Sequence, residues 1–269
     1  MDIYWDSINM RYPEKGSVSG GVFTPSDTTD EVGLLIDNSI ELSTNFTGST
    51  PKGVRFIADT FAGLSFSQIT TRSFSELNER FSHIGIAGIG SADYVIIKCD
   101  DNPNVEVWAS DESMVNYTKV FDSTIENNAW SINALDSSTS ASYFVVQFTG
   151  NYNVNVFEMI LAKRITDVYR YDTWTEKQNF NVALNTAHNG GEFSNKQGVS
   201  TVDKNFSWKV MNQTYMNDIL TFRDSVYNQD KYFLTVEDDR KFGKLLNDPT
   251  PIEVGYQHYS VDLNVRQYA

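Results

Sequence analysis

The chain has 269 residues, of which 40% are hydrophobic, 13% are aromatic and 21% are charged. This length allows one large domain or two of ordinary size, and the apolar content excludes a wholly disordered chain. Its 35 acidic against 21 basic residues leave a formal net charge of −14, which disfavours nucleic acid and anionic membranes as partners. The longest apolar run, 84–90, is far shorter than the ~20 residues of a membrane-spanning helix, so we expect no membrane insertion.

The cysteine content and the first residues bear on where the protein folds. A single cysteine, Cys99, excludes an intrachain disulfide framework and a cysteine-based zinc cluster. The acidic and aromatic start, Met1–Asp6, lacks the basic beginning of a signal peptide. We therefore expect the chain to fold in the cytoplasm.

The first half of the chain predicts strands joined by polar turns. Residues 1–30 are rich in Gly, Ser and Thr, which predicts an extended N-terminal arm with a short strand at 3–8. Ser73 and Glu76 form a capping box that predicts a short helix. Apolar runs or period-two alternation then predict strands at Tyr94–Lys98, Val105–Ala109, Tyr143–Phe148 and Val154–Leu161.

After a boundary near residue 165 the pattern changes to strand, helix, strand and strand. A strand carries Phe206, and a helix over 214–227 presents Tyr215, Ile219, Phe222 and Val226 at helical spacing, with Asn212 or Thr214 as its cap. An aromatic strand follows at 232–236, and a turn-rich segment runs through Pro249 and Pro251. The alternation over Tyr259–Arg266 predicts the last strand.

The side chains that usually carry catalysis form no recognisable motif. The three histidines lie far apart, and the chain has no nucleophile elbow, Walker loop or dinucleotide fingerprint. Two acidic triplets, 100–102 and 237–239, offer oxygen ligands of the kind that calcium takes, although a solvated turn is the simpler interpretation. We predict no catalytic residue, no cofactor and no metal.

Three aromatic residues are candidates for a sugar-stacking platform. In the strand around Val107, Trp108 alternates away from the inward-facing valines. Together with Tyr117 and Trp130 it would offer flat rings to the apolar face of a sugar. A ring at the rim of the sheet, covered by a loop or a neighbouring subunit, explains Trp108 equally well.

Other aromatic residues are candidates for an interface between subunits. Protein interfaces are enriched in Tyr, Trp and Phe. The aromatic clusters of the sequence therefore predict contact residues at Tyr4, Trp5, Tyr169, Tyr171 and Trp174. Ordinary packing in a core or at a strand edge is the alternative for each of them.

The C-terminal hundred residues resemble the minor tail proteins of tailed bacteriophages, which lie at the distal tail or tail tip. The resemblance is carried by Asn205–Met211, then Gln213–Leu220, then Lys231–Asp239, and by the closing strand Tyr259–Arg266. In such proteins a core strand is followed by one helix, by an aromatic strand ending in acidic residues, and by an alternating strand.

The segment before the boundary is similar to the last strands of discoidin-like sandwiches. There a strand ending in a Thr-Gly turn leads into a closing strand, as in Ser142–Gly150 followed by Val156–Lys163. With the patterns above, this predicts a mainly β protein in two domains. Residues 1–165 would form an antiparallel β-sandwich of jelly-roll or galactose-binding type, and 166–269 a smaller α+β domain with one helix packed on an antiparallel sheet.

The tail-protein resemblance implies a structural component of the virion with no enzymatic activity. Such a protein would form a homo-oligomeric ring at the tail tip or baseplate and join the tail tube to hub or fibres through β contacts between subunits. It would be assembled in the host cytoplasm and reside in the virion tail. The alternative is a carbohydrate-binding module for a host-surface glycan; a hydrolase with paired carboxylates is the weakest candidate, since no pair stands out.

Overall fold

The computed structural model describes residues 2–8, 10–26, 35–36, 43–58, 90–126, 130–165, 173–179, 182–186, 192–196, 201–227, 232–236 and 240–268. Its strands are β1 (Asp2–Asp6), β2 (Met10–Ser19), β3 (Val22–Pro25), β4 (Thr44–Gly48), β5 (Lys52–Ala58), β6 (Gly90–Cys99), β7 (Asn104–Ser110), β8 (Thr118–Thr124), β9 (Trp130–Ala141), β10 (Tyr143–Thr149), β11 (Tyr152–Ile165), β12 (Thr173–Asn179), β13 (Val182–Thr186), β14 (Glu192–Lys196), β15 (Thr201–Met211), β16 (Phe233–Val236), β17 (Arg240–Leu245), β18 (Ile252–Gly255) and β19 (His258–Tyr268). Within these ranges a single α-helix, α1 (Gln213–Val226), lies between β15 and β16.

The chain divides into two compact units. The sandwich unit is Asp6–Lys163, and the C-terminal unit combines Arg164–Ala269 with Met1–Trp5. The sequence placed the boundary at 165/166 and assigned the first residues to the first domain. Instead, β1 pairs with β16 of the C-terminal unit, with Ile3 opposite Thr235.

The sandwich unit consists of two antiparallel sheets that enclose one core. The β10 sheet has the order β3-β2-β5-β10-β7-β8, and the β11 sheet contains β4, β11, β6 and β9. Along β10, Phe144, Val146 and Phe148 are fully buried between the sheets, which confirms the alternation predicted for this strand. From the opposite sheet, β11 contributes Val154 and Leu161 to the same core.

The C-terminal unit is a sheet with the helix packed against it. Its strands follow the order β12-β15-β19-β17-β16-β1, and β18 pairs with β19. Asn212 caps α1, because its side-chain oxygen accepts a 3.0 Å hydrogen bond from the backbone N–H of Tyr215. The helix buries Ile219, Phe222 and Val226 against the sheet, as the spacing of these residues predicted. The mainly β fold with a helix packed on an antiparallel sheet is thus confirmed.

The first residues differ from the predicted extended arm. The described parts of 2–25 form β1, β2 and β3, and each strand pairs within this chain. Val18 and Phe23 are 2% and 1% exposed. Gly, Ser and Thr were interpreted as loop formers, but these residues pair with neighbouring strands, which satisfies their backbone groups, and Val18 and Phe23 are buried. The short helix predicted from Ser73 lies outside the described residues.

None of the helical segments in the described part of the chain combines the length and hydropathy needed to cross a membrane.

Candidate functional site

Trp108, the central residue of the predicted sugar platform, lies on the outer face of the β10 sheet and is half-buried. Its indole Nε1 donates a 3.0 Å hydrogen bond to a carboxylate oxygen of Glu106. The ammonium of Lys119 lies 5.6 Å from the centre of the indole ring. The ring is therefore held by a carboxylate at one edge and faced by a cation, in a cation–π contact.

The two other platform residues do not join Trp108 in an open surface. Tyr117 is 4% exposed and packs in the same outer cluster as Trp108, and its hydroxyl donates to the Ser113 carbonyl oxygen at 2.9 Å. Burial raises the pKa of Tyr117 to about 12. Trp130 is also 4% exposed and lies on β9 of the other sheet. Because both rings are buried, neither offers the face that a stacked sugar needs. The alternation of residues along a strand predicts which face of the sheet a side chain lies on, but it does not predict what covers that face.

A network of polar side chains crosses the outer face of the β10 sheet. Gln147, which is 1% exposed, accepts a 2.8 Å bond from the Val18 N–H and donates to the Val18 carbonyl at 3.3 Å. The amide nitrogen of Gln147 also donates a 2.7 Å hydrogen bond to Glu106, and Glu106 accepts a 3.1 Å hydrogen bond from the Lys119 ammonium. The hydrogen bonds that Lys119 donates to Asp122 and Glu106 raise its pKa, and the bond to Asp122 has the larger effect. The polar groups of this face thus satisfy one another and fix strand β2 to the sheet.

The approach of Gln147 to β2 depends on a glycine in the intervening strand. Gly53 of β5 lies opposite Gln147 on one side and Gly16 on the other. A Cβ at residue 53 would come within 2.1 Å of the Val146 carbonyl oxygen and 2.5 Å of the Gln147 Cα. Only a residue without a side chain fits at this position.

Arg55 fastens the loop at 111–117 to the same face. Its guanidinium lies 4.5 Å from the ring centre of Phe23 and 5.5 Å from that of Tyr143. It forms an ion pair with Glu14 and donates to the Ser113 carbonyl oxygen. Backbone hydrogen bonds from Phe23 to Met114, at 2.8 Å, and from Tyr117 to Gly21, at 3.0 Å, join the loop to the β2–β3 hairpin. The loop is held from both sides and therefore has little freedom to rearrange around a ligand.

The acidic triplet at 100–102 is used in turn structure. Asp100 accepts hydrogen bonds from the backbone and side-chain nitrogens of Asn155, at 2.8 and 2.6 Å. Asp101 accepts from the backbone of Asn102 at 2.8 Å. These bonds match the solvated turn that the sequence left as the simpler interpretation. In the part of the chain that the structure describes, no group of three or more His, Cys, Asp or Glu residues is arranged to hold a metal ion. The triplet at 237–239 lies outside that part.

Cys99 is enclosed at the end of β6 and is 1% exposed. Its thiol donates to the Asp101 carbonyl oxygen at 3.2 Å. Burial raises the pKa of Cys99 to about 11, so the thiolate is scarce at neutral pH. This cysteine is therefore a packing residue.

The two predicted interface residues whose side chains the structure describes, Tyr4 and Trp5, are buried. Tyr4 and Trp5 are 5% and 2% exposed, and the Trp5 ring packs edge-on against Phe222 with 5.6 Å between centres. Tyr169 and Tyr171 lie outside the described residues. Trp174 belongs to β12, but its side chain is not among those described. Trp5 belongs to the core of the C-terminal unit, which agrees with the alternative of ordinary core packing, and a role of these residues in an interface stays a prediction.

Within the described residues, the most exposed large apolar side chains lie on a hairpin in the segment that the sequence analysis found to be turn-rich. Ile252, Val254 and Tyr256 are 66%, 55% and 84% exposed, and all four residues of β18 are open to solvent. At the turn, Gln257 has a φ of 55°, and the His258 Nδ1–H donates to the Tyr256 carbonyl oxygen at 2.7 Å. The sequence analysis did not predict this strand because two prolines precede it, although its two apolar residues alternate with Glu253 and Gly255.

No protein family and no curated protein matches this chain in sequence. Among solved structures, the chain is similar to the family 32 carbohydrate-binding module of NanJ from C. perfringens, determined in complex with galactose. The similarity covers 61% of this chain and 100% of the module, with 12% sequence identity and a TM-score of 0.38.

Proposed function

We propose that the protein is a non-enzymatic structural component of a phage tail tip or baseplate ring. It joins tail tube to hub or fibres through contacts between β-strands. The observation that carries this proposal is the exposed β18–β19 hairpin, which presents Ile252, Val254 and Tyr256 to solvent. Apolar side chains on an exposed edge strand mark a surface made for a partner, since such an edge is otherwise an aggregation hazard.

Two further features support an assembly role. The succession β15, α1, β16 and β19 follows the order of elements on which the resemblance to minor tail proteins rests. The net charge of −14 keeps separate chains apart until a matched contact overcomes the repulsion. A component of an ordered particle needs both properties, because it must stay soluble before assembly and bind tightly afterwards.

The carbohydrate-binding alternative has less support from the geometry. Its platform required three exposed rings, and two of them are buried: Tyr117 in the loop before β8, and Trp130 at the start of β9 in the other sheet. The third, Trp108, is already engaged by Glu106 and Lys119.

The proposal is tested by purifying the full chain and mixing it with tube, hub and fibre proteins of the same particle. Light scattering then measures the mass of each mixture. We expect a ring or a mixed complex, and we expect the double variant Ile252→Lys, Val254→Lys to lose at least one contact. Val22→Lys, at a 46% exposed apolar residue of the sandwich unit, is the matched control. A chain that stays monomeric at every concentration and binds none of these proteins refutes the proposed function.

A further inference from the structure

The hairpin strand β18 has one side on which a further strand can be added. β18 pairs with β19, with Ile252 opposite Ser260 and Glu253 opposite Tyr259. No other strand within the described residues pairs with β18. All four residues of β18 are exposed, and an added strand would form hydrogen bonds with the main-chain groups of this second edge.

Three side chains of the hairpin are the ones that a partner would cover. Ile252 and Val254 lie in β18, whose register with β19 shifts between Glu253 and Gly255, and Tyr256 follows in the turn. They are the three most exposed of the large apolar side chains in the described part of the protein. Apolar residues of an added strand would cover these three side chains.

The charge of the segment around β18 determines which charge an added strand should carry. Residues 246–262 contain Asp248, Glu253 and Asp262 but no Lys or Arg. The Asp248 side chain is 50% exposed, and Glu253 and Asp262 are exposed as well. Arg223 reaches one of them, with 4.0 Å between its Nε and an Asp248 oxygen, and it also pairs with Asp224. The segment that contains β18 is therefore acidic.

From this arrangement we infer that β18 binds an extended, basic strand of a different protein, which adds to the sheet edge and covers Ile252, Val254 and Tyr256. A second copy of this chain fits less well, because pairing of two β18 strands would bring the same carboxylates together. The inference rests on the proposed function and adds the chemistry and the binding mode of the partner.

Synthetic peptides test the inference with the full-length protein. The basic probe is a dye-labelled seven-residue peptide in which lysine alternates with valine, capped at both ends. A second peptide has glutamate in place of lysine, and a third keeps the lysines but carries N-methyl groups on alternate backbone amides. Fluorescence anisotropy measures binding of each peptide. We expect the basic peptide to bind at least about tenfold more tightly than the acidic one, and several-fold more weakly when salt is raised from about 50 to 300 mM.

Variants of the protein locate the site. Ile252→Lys with Val254→Lys, and separately Glu253→Lys, should each weaken binding of the basic peptide about tenfold, whereas Val22→Lys should leave it unchanged. Tyr256→Ser supplies a milder change that leaves β18 intact. N-methylation of the peptide should abolish binding, because it removes the main-chain donors.

The alternative results each decide against the inference. It is overturned if the basic peptide does not bind, if the acidic peptide binds equally well, or if the hairpin variants bind as the wild type does. It is also overturned if light scattering shows that the wild-type chain self-associates and that the Ile252→Lys, Val254→Lys variant is a monomer, since the occupant is then a second copy. That last result leaves the proposed assembly function standing, whereas a chain that stays monomeric and binds no tail protein removes the function itself.

Discussion

Replacing Gln147 by leucine removes the side chain that ties β2 to the rest of the β10 sheet. Gln147 bonds both the N–H and the carbonyl of Val18, and Val18 is only 2% exposed. Leucine has a similar volume but no polar atom, so both backbone groups would stay buried without this partner. A buried polar group that loses its hydrogen bond costs about 1–3 kcal/mol.

The substitution removes both hydrogen bonds to Val18 and the hydrogen bond that Gln147 donates to Glu106, so we expect the free energy of unfolding to fall by about 3 kcal/mol. For a protein of this size, each kcal/mol lowers Tm by about 2–4 °C, so a decrease of about 6–12 °C is expected. Thermal unfolding followed by calorimetry measures this difference directly.

The matched control is Gln178→Leu, the same substitution at an exposed residue of β12. It should change stability by no more than about 0.5 kcal/mol. If Gln147→Leu unfolds at the same temperature as the wild type, the hydrogen bonds to Val18 contribute nothing to the fold, and the reasoning is refuted.

Three further predictions concern other parts of the molecule. Phe222→Ala should destabilise the C-terminal unit by about 3–5 kcal/mol, because this fully buried ring contacts both Trp5 and Phe233; an unchanged urea midpoint would contradict this. Gln257→Gly should stabilise the hairpin by about 0.4–1 kcal/mol, since Gln257 has a φ of 55°; hydrogen exchange at β18 should slow, and faster exchange would count against the assignment of the turn. Because the pKa of Tyr117 is raised to about 12, the unfolded chain loses this proton at lower pH than the folded chain, and stability should fall as pH rises from about 10 to 12. In Tyr117→Phe the fall in the urea midpoint over that range should be smaller, and an identical fall in both proteins would exclude Tyr117 as its cause.

The elements that the sequence predicted well are those with a long, regular pattern. The inward side chains of β10 and the helical stripe from Ile219 to Val226 repeat often enough to fix both the type of element and its buried face. For the cap of α1 the sequence left Asn212 or Thr214, and the structure shows that Asn212 is the cap. These patterns were sufficient to predict a mainly β protein with a helix packed on a sheet.

The features that escaped prediction depend on which strands become neighbours. Alternation placed Trp108 away from the core, but Lys119 faces its ring only because β8 pairs with β7. Likewise, β18 has four residues between a proline and a turn, and such a short run gives no reliable period. The face and exposure of a residue in such a segment are set by the tertiary arrangement.

The enclosure of Cys99 has a practical consequence for spectroscopy. Because the thiol is buried and protonated at neutral pH, reagents that modify thiolates should leave the native cysteine unmodified. A Tyr256→Cys substitution would then supply a single reactive handle at the tip of the hairpin, where the present side chain is 84% exposed. A nitroxide or fluorophore attached there would report the mobility of the tip before and after a partner binds, with the rest of the chain unmodified.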